Sequence, residues 1–250
     1  MAFSKKILVF GAHSDDETIG PGGTIALLSQ IGYEVYIVTF CWSGRGKWYD
    51  TGYSSVELKD KIDELRRKEA LEADKILGVK RRLGLAQPTQ GIINTRKLYQ
   101  HVVKIIRDIK PIAIFTHWNE DKHRDHRVVS QITEEARWKA AENVLADLGK
   151  PWYTPLLFFY EVTDLFSHPS HIVDITDTFK VKIDAIKQYK SQASVLPNIV
   201  NYLEGLARVR GFMINTRYGE AFLLSRLFPV PGLGIPGIEV TKVVEENENV

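Results

Sequence analysis

Short apolar runs rich in β-branched and aromatic residues alternate with longer helical stretches along this chain. That alternation restricts the fold more than any other feature. Residues 7–10 (ILVF), 35–40 (VYIVTF) and 112–116 (IAIFT) have the length and composition of buried strands. Residues 24–31, 54–77, 97–109 and 126–148 read instead as helices; in the second, Leu58, Ile62, Leu65, Ala73 and Ile76 form the apolar stripe. Ser54 and Glu57 make a capping-box pattern at its start, and Gly78 and Gly149 stand where the second and fourth helices should stop. Strands separated by helices predict βαβ units, and so an α/β fold with a mostly parallel sheet covered by helices on both faces. Residues 156–160, 172–175 and a helix after Asp177 continue the theme less regularly.

Nothing in the composition breaks the 250 residues into parts. With 44% hydrophobic and 26% charged residues, the chain can bury a full core. There is no linker and no internal repeat, so residues 1–240 are expected to form one domain and 241–250 a frayed acidic tail. Thirty-three basic against 31 acidic residues leave a formal charge of +2, which gives no reason to expect nucleic acid as a partner. The single cysteine, Cys41, excludes an internal disulfide framework and suits a reducing compartment; at the end of an apolar strand it reads as a core residue. The first apolar run is too short for a signal peptide and no later run is long enough to span a membrane, so a cytoplasmic protein without a membrane partner is expected. Residues 229–240 (PVPGLGIPGIEV) are apolar but too rich in Pro and Gly for a regular element. They are expected to pack on another subunit (hence a homo-oligomer), on the pocket rim, or over their own core.

The chemistry sits at strand ends. In an open parallel sheet, ligands bind beyond the carboxyl ends of the strands. Residues 12–17 (AHSDDE) follow the first strand directly, and residues 117–126 (HWNEDKHRDH) follow the third. Two loops far apart in sequence thereby carry His and Asp toward one edge of the sheet. His13 and Asp16 with one histidine of the second loop would make a three-ligand zinc site with a position left for water. The competing reading is solvated loop residues, with Asp125 capping the next helix.

Other features are weaker. Gly20-Pro21-Gly22-Gly23-Thr24 opens a helix and could cradle a phosphate, as in a Rossmann-like nucleotide or sugar-phosphate binding protein, or simply let helix and sheet approach closely. Arg66 and Glu69, one turn apart, have the spacing of an exposed ion pair. Lys80-Arg81-Arg82 reads as a solvated turn, and His101, His168 and His171 as ordinary polar residues. Trp42, Trp48, Tyr49 and Trp118 lie in loops after strand ends and offer flat faces to a pyranose ring, Trp118 above all because it adjoins His117.

At these residues the chain resembles the PIG-L/LmbE-like family of zinc-dependent de-N-acetylases, and within it the archaeal diacetylchitobiose deacetylases. The motifs are His13-Ser14-Asp15-Asp16-Glu17 with Gly22-Gly23-Thr24, Arg66-Arg67-Lys68-Glu69 running into Leu77-Gly78-Val79, and His123-Arg124-Asp125-His126. Residues 171–176 and 217–222 are similar to later family segments, and Ser14 stands where the family usually has proline. The resemblance implies a Rossmann-like fold and a zinc-dependent hydrolase that removes the N-acetyl group from an N-acetylglucosamine-type sugar or small glycoconjugate. It implies His13, Asp16 and His126 as Zn2+ ligands and Asp15 as the general base. His123 would stabilise the oxyanion or protonate the leaving amine, oriented by Asp125, and Arg66 would face the substrate. Another N-acyl amidase on a sugar conjugate is the nearest alternative.

Overall fold

The computed structural model describes residues 4–42 and 55–227. Strand β1 (Lys6–Gly11) runs through a single turn, α1 (Asp16–Ile19), into α2 (Gly22–Gln30) and β2 (Glu34–Thr39). Helix α3 (Ser55–Leu77) precedes β3 (Arg81–Gly84), α4 (Arg96–Ile109) precedes β4 (Ala113–His117), and α5 (Arg124–Ala141) precedes β5 (Leu156–Tyr160). Then come β6 (His171–Asp174), α6 (Phe179–Ile186), α7 (Ile199–Phe212) and β7 (Gly219–Leu224).

The strands form one seven-stranded sheet in the order β3-β2-β1-β4-β5-β7-β6. The first five are parallel, and β7 pairs antiparallel with both β5 and β6. The α/β expectation therefore holds, with an antiparallel edge added by the less regular C-terminal third. Because side chains alternate along a strand, β1 feeds two cores. Ile7 and Val9 join Ala70, Ala73 and Leu77 of α3, while Leu8 and Phe10 join Val102 and Ile106 of α4 and Val129 and Ile132 of α5. A one-residue slip of β1 would exchange the two sets.

The chain leaves β1 toward β2 and β3, then returns to β1's other side as β4, with Ile7 beside Ala113 and Val9 beside Phe115. The order of strands reverses between β1 and β4. Their carboxyl ends therefore frame the crevice where α/β sheets bind ligands.

Two elements differ from their sequence reading. Helix α5 stops at Ala141 instead of running to 148, and a separate 3-10 turn follows at Ala146–Leu148. The buried Arg107 guanidinium of α4 donates to the carbonyls of Lys139, Ala140, Glu142, Val144, Leu145 and Gly149. One side chain from another helix thus satisfies the backbone that the helix end leaves open. Residues 80–82 are not a solvated turn: Arg81 and Arg82 begin β3, where Arg82 pairs with Ile37 of β2.

Among the described residues, no helix is long and apolar enough to cross a membrane. Ser54, Trp48, Tyr49, the 229–240 segment and the tail at 241–250 lie outside the described residues.

Candidate active site

The two loops meet. β1 ends at Gly11, and the next residues turn sharply because Asp16 accepts the backbone N–H of His13 at 2.7 Å. β4 ends at His117, and Asp121 holds its own loop by accepting the backbone N–H of His123 at 2.7 Å. His13, Asp15, Asp16, Asp121, Asp125 and His126 are all buried.

Asp16 Oδ2 stands at the centre, 3.2 Å from His13 Nδ1 and 3.4 Å from His126 Nε2. The second nitrogen of each ring meets a carboxylate behind it. Asp125 Oδ2 lies 3.2 Å from His13 Nε2, and Asp121 Oδ2 lies 3.3 Å from His126 Nδ1. Imidazoles backed in this way by carboxylates are the usual surroundings of a metal ion. Among the described residues, two groups bring ligand atoms close enough for one ion: His13, His123 and His126, and Asp16, His117 and His126. The expected set of His13, Asp16 and His126 is neither of these: each group holds two of its three members, with His123 in place of Asp16 or His117 in place of His13. The donor types fit Zn2+, which takes imidazole and carboxylate ligands together.

The charges agree. Burial disfavours the cationic form of His13, but Asp16, Asp125 and Asp15 outweigh it and push the imidazole up to about 10. His126 is likewise opposed by burial yet pushed up to about 9, by Asp16 and Asp121. Burial also works against ionisation of Asp16, but the three surrounding histidines hold its carboxyl well below the usual range. The cluster attracts positive charge, which protons supply when nothing else does and which a divalent cation would replace.

Asp15 projects beside this cluster, and its Oδ1 accepts from Arg66 Nη2 at 2.9 Å. Arg66 Nε donates to Ser14 Oγ at 3.1 Å, and its Nη1 is buried without a partner. Glu69 meanwhile accepts the N–H and Oγ–H of Ser191 at 2.8 and 2.6 Å. Arg66 and Glu69 are therefore not a surface pair; both are buried, and each holds a different segment to α3.

His123 is the N-cap of α5, and its Nδ1 accepts the Asp125 N–H at 3.2 Å. The ring proton is thereby left on Nε2. Burial, with His126 nearby, lowers the pKa of His123, favouring a neutral donor. Contrary to the sequence expectation, Asp125 does not orient His123 through its carboxylate, nor does it cap the helix with it. That carboxylate backs His13 and accepts the Gln90 N–H at 2.6 Å; only its backbone touches His123.

Trp118 departs from its sequence reading too. It packs edge-on against Phe166, ring centroids 5.2 Å apart, partly buried against the second core and outside the lining of the cavity at the site. The cavity, of about 590 Å³, is bordered by His13, Asp15, Asp16, Arg66, His123 and His126 on the reactive side. Cys41 is a buried core residue, as expected, its thiol pushed up by burial. The glycine-rich turn cradles no phosphate. The N–H groups of Gly23 and Thr24 donate to Glu220 at 2.8 and 2.7 Å, and Lys182 Nζ lies 2.6 Å from the same carboxylate. A Cβ on Gly23 would come within 2.8 Å of Ile175, so the glycine serves close packing.

Three participants escaped the sequence reading. His117 lies beneath Asp16, its Nε2 accepting the Ala12 N–H at 2.9 Å, and burial together with His126 lowers its pKa to about 4. Asp121 backs His126. Arg82 from β3 grips Asp74 through two bonds of 2.8 and 2.7 Å and reaches Glu17 at 3.2 Å, tying the first loop to α3. Their positions in polar stretches were visible; their pairing across the sheet was not.

The comparisons with known proteins point the same way. The chain is 29% identical over 241 residues to the diacetylchitobiose deacetylase of Thermococcus kodakarensis, covering 92% of this chain and 84% of that protein. The solved N,N'-diacetylchitobiose deacetylase of Pyrococcus horikoshii, in complex with an inhibitor, superposes with a TM-score of 0.78 at 30% identity, covering 88% of this chain and 84% of that one. A Pseudomonas putida 4-carboxy-2-hydroxymuconate hydratase reaches a TM-score of 0.80 over 92% of this chain and 99% of its own, but at 21% identity it shares the fold alone. The family model for PIG-L, GlcNAc-PI de-N-acetylase, matches residues 8–137, from the first site-bearing strand through both loops. That match takes in more than half of the chain, which belongs to the PIG-L family.

Proposed function

We propose that this chain is a zinc-dependent N-deacetylase of N-acetylglucosamine-type sugars or small glycoconjugates. The observation that carries it is the convergence of His13 and His126 on Asp16, each backed by its own carboxylate, at the edge of a cavity that Asp15 and His123 also border. Family membership and the deacetylase relatives supply the reaction class and the amino-sugar substrate.

His13, Asp16 and His126 would hold the ion, with Asp125 and Asp121 fixing the two imidazoles. When bound, Zn2+ would acidify a water and polarise an amide carbonyl. Asp15 borders the cavity without joining that carboxylate-backed set, so its carboxylate takes the proton of the attacking water, with Arg66 holding it in place. His123, with its proton on Nε2, donates a hydrogen bond to the developing oxyanion, and the proton that Asp15 took from water passes to the amine as the C–N bond breaks. Asp125 acts through His13. With the amides of Gly23 and Thr24 occupied by Glu220, a nucleotide or sugar-phosphate binding protein built on that turn has lost its site.

The test is acetate release from N-acetylglucosamine, N,N'-diacetylchitobiose and related glycosides by chelator-treated protein, before and after zinc is restored. Metal-dependent acetate release is expected. Stoichiometric metal with no acetate from any sugar would overturn the reaction.

A further inference from the structure

We propose that the amino-sugar site continues into an apolar subsite that takes a hydrophobic aglycone, an aryl or alkyl group on the anomeric oxygen. The proposal rests on the deacetylase reading above and names the kind of substrate. Beyond the histidine cluster the cavity is bordered by polar residues such as Gln90, Thr163, Gln192 and Asn198 and by an apolar stretch of Ile19, Val162, Val195, Leu196, Ile199 and Tyr202. About 590 Å³ lies within the range of roughly 300–1,000 Å³ typical of sites for drug-sized ligands, and leaves room beyond one pyranose ring.

The far wall is unusual in what it leaves uncovered. Val195 and Tyr202 keep 45% and 39% of their surface exposed, although both border a concave site. The Tyr202 hydroxyl donates to the Val162 carbonyl at 3.3 Å, which ties its polar end back to the protein. Such a surface gains by being covered with apolar atoms.

Charge gives the obvious alternative, an acidic aglycone, little support. Lys122 borders the cavity, but its Nζ donates to the Thr163 carbonyl at 2.8 Å and stands 3.7 Å from Asp164. Arg66, the other cation of the lining, is paired with Asp15. Both cations already face a carboxylate, Arg66 that of Asp15 and the largely exposed Lys122 that of Asp164, while Arg66 Nη1 stays without a partner.

The wall is also anchored and thin. Glu69 pins Ser191 at its start, so the α3 helix that holds Asp15 also sets where the wall begins. Behind Gln192, Leu196, Pro197 and Ile199 lies a second cavity of about 260 Å³. Those four residues border both cavities, so the wall between them is thin.

The experiment compares the methyl, phenyl and p-carboxyphenyl β-glycosides of N-acetylglucosamine. Binding is measured by calorimetry on zinc-loaded Asp15→Asn protein, and acetate release on the wild type. The phenyl glycoside is expected to bind about tenfold more tightly than the methyl, close to 1.4 kcal/mol, and the p-carboxyphenyl to lose that advantage. Val195→Asp and Tyr202→Ser, both at exposed positions, are expected to bring the phenyl-to-methyl ratio near one, with an unchanged melting temperature showing that the fold survives. Equal binding of phenyl and methyl glycosides would overturn the subsite even if acetate is released from both. A phenyl preference without acetate release from any glycoside would support the subsite and sink the reaction. A tighter-binding p-carboxyphenyl glycoside would overturn the apolar assignment in favour of an anion site.

Discussion

Replacing Arg82 with Met keeps much of the side chain's length and removes its guanidinium. The guanidinium is completely buried, and so is Glu17, while Asp74 is nearly so; solvent screening therefore gives no discount. Two of its bonds form a bidentate grip on Asp74, a third reaches Glu17, and a fourth, of 2.7 Å, reaches Thr39 Oγ1. Removing one member of a buried ion pair leaves an uncompensated charge and costs about 3–5 kcal/mol. Burial pushes the Glu17 carboxyl up to about 7 despite Arg82, so near neutrality Glu17 is only partly ionised. Most of the loss then falls on Asp74, and the lower end of the range is expected. For a chain of this size each kcal/mol moves the midpoint by about 2–4 °C, so Arg82→Met should lower it by roughly 6–12 °C. Urea unfolding of the metal-free protein, followed by circular dichroism, measures the loss directly. Adding Asp74→Leu to Arg82→Met removes the stranded charge and should restore part of the stability. A single variant within about 1 kcal/mol of wild type, or a double variant no better than the single, would refute the idea that this pair fastens the first loop to α3.

Three further outcomes are expected. Alanine at His13, Asp16 or His126 should each strip the metal during dialysis against a mild chelator; zinc content by atomic spectroscopy checks this, and three variants that all keep full zinc would refute the ligand set. Asp15→Asn should retain zinc yet release acetate about 10²–10⁴-fold more slowly, the usual loss for a general base; a rate within a few-fold of wild type, or loss of fold and metal together, would take the role from Asp15. Trp118→Ala should lower stability by about 3–5 kcal/mol or somewhat less, since the ring is only partly buried, by removing the packing on Phe166, with KM for the methyl glycoside little changed; a large rise in KM without loss of stability would return Trp118 to the substrate.

Much of this architecture was legible in the sequence because it is written in local periodicity. The runs at 7–10, 35–40 and 112–116 are strands whose alternate side chains serve two cores, and no contact information is needed to see that both faces are apolar. The stop at Gly78 was equally local, since a helix ends most easily where glycine adopts positive φ, here +75°. His13, Asp16, His123 and His126 stood out because short polar clusters followed apolar strands directly, and the strand-end rule sent both clusters to one edge.

What the sequence could not determine is which groups meet across the sheet, because pairing depends on distance in space and charge carries no address. Arg66 and Glu69 have the spacing of a surface pair, yet burial of α3 against the first loop and the wall turns each toward a different partner. Arg81 and Arg82 lack a strand's apolar signature, yet β2 offers them a free edge and Asp74 with Glu17 offers Arg82 its counter-charges. The extent of α5 was decided by Arg107 on another helix. Asp125 was drawn to His13 and away from His123 because β1 and β4 lie side by side, which brings the first loop's histidine within 3.2 Å of a carboxylate 112 residues away. Local sequence set the elements and nominated the chemistry; only packing, by bringing charges together in a space that excludes water, assigned each group its partner.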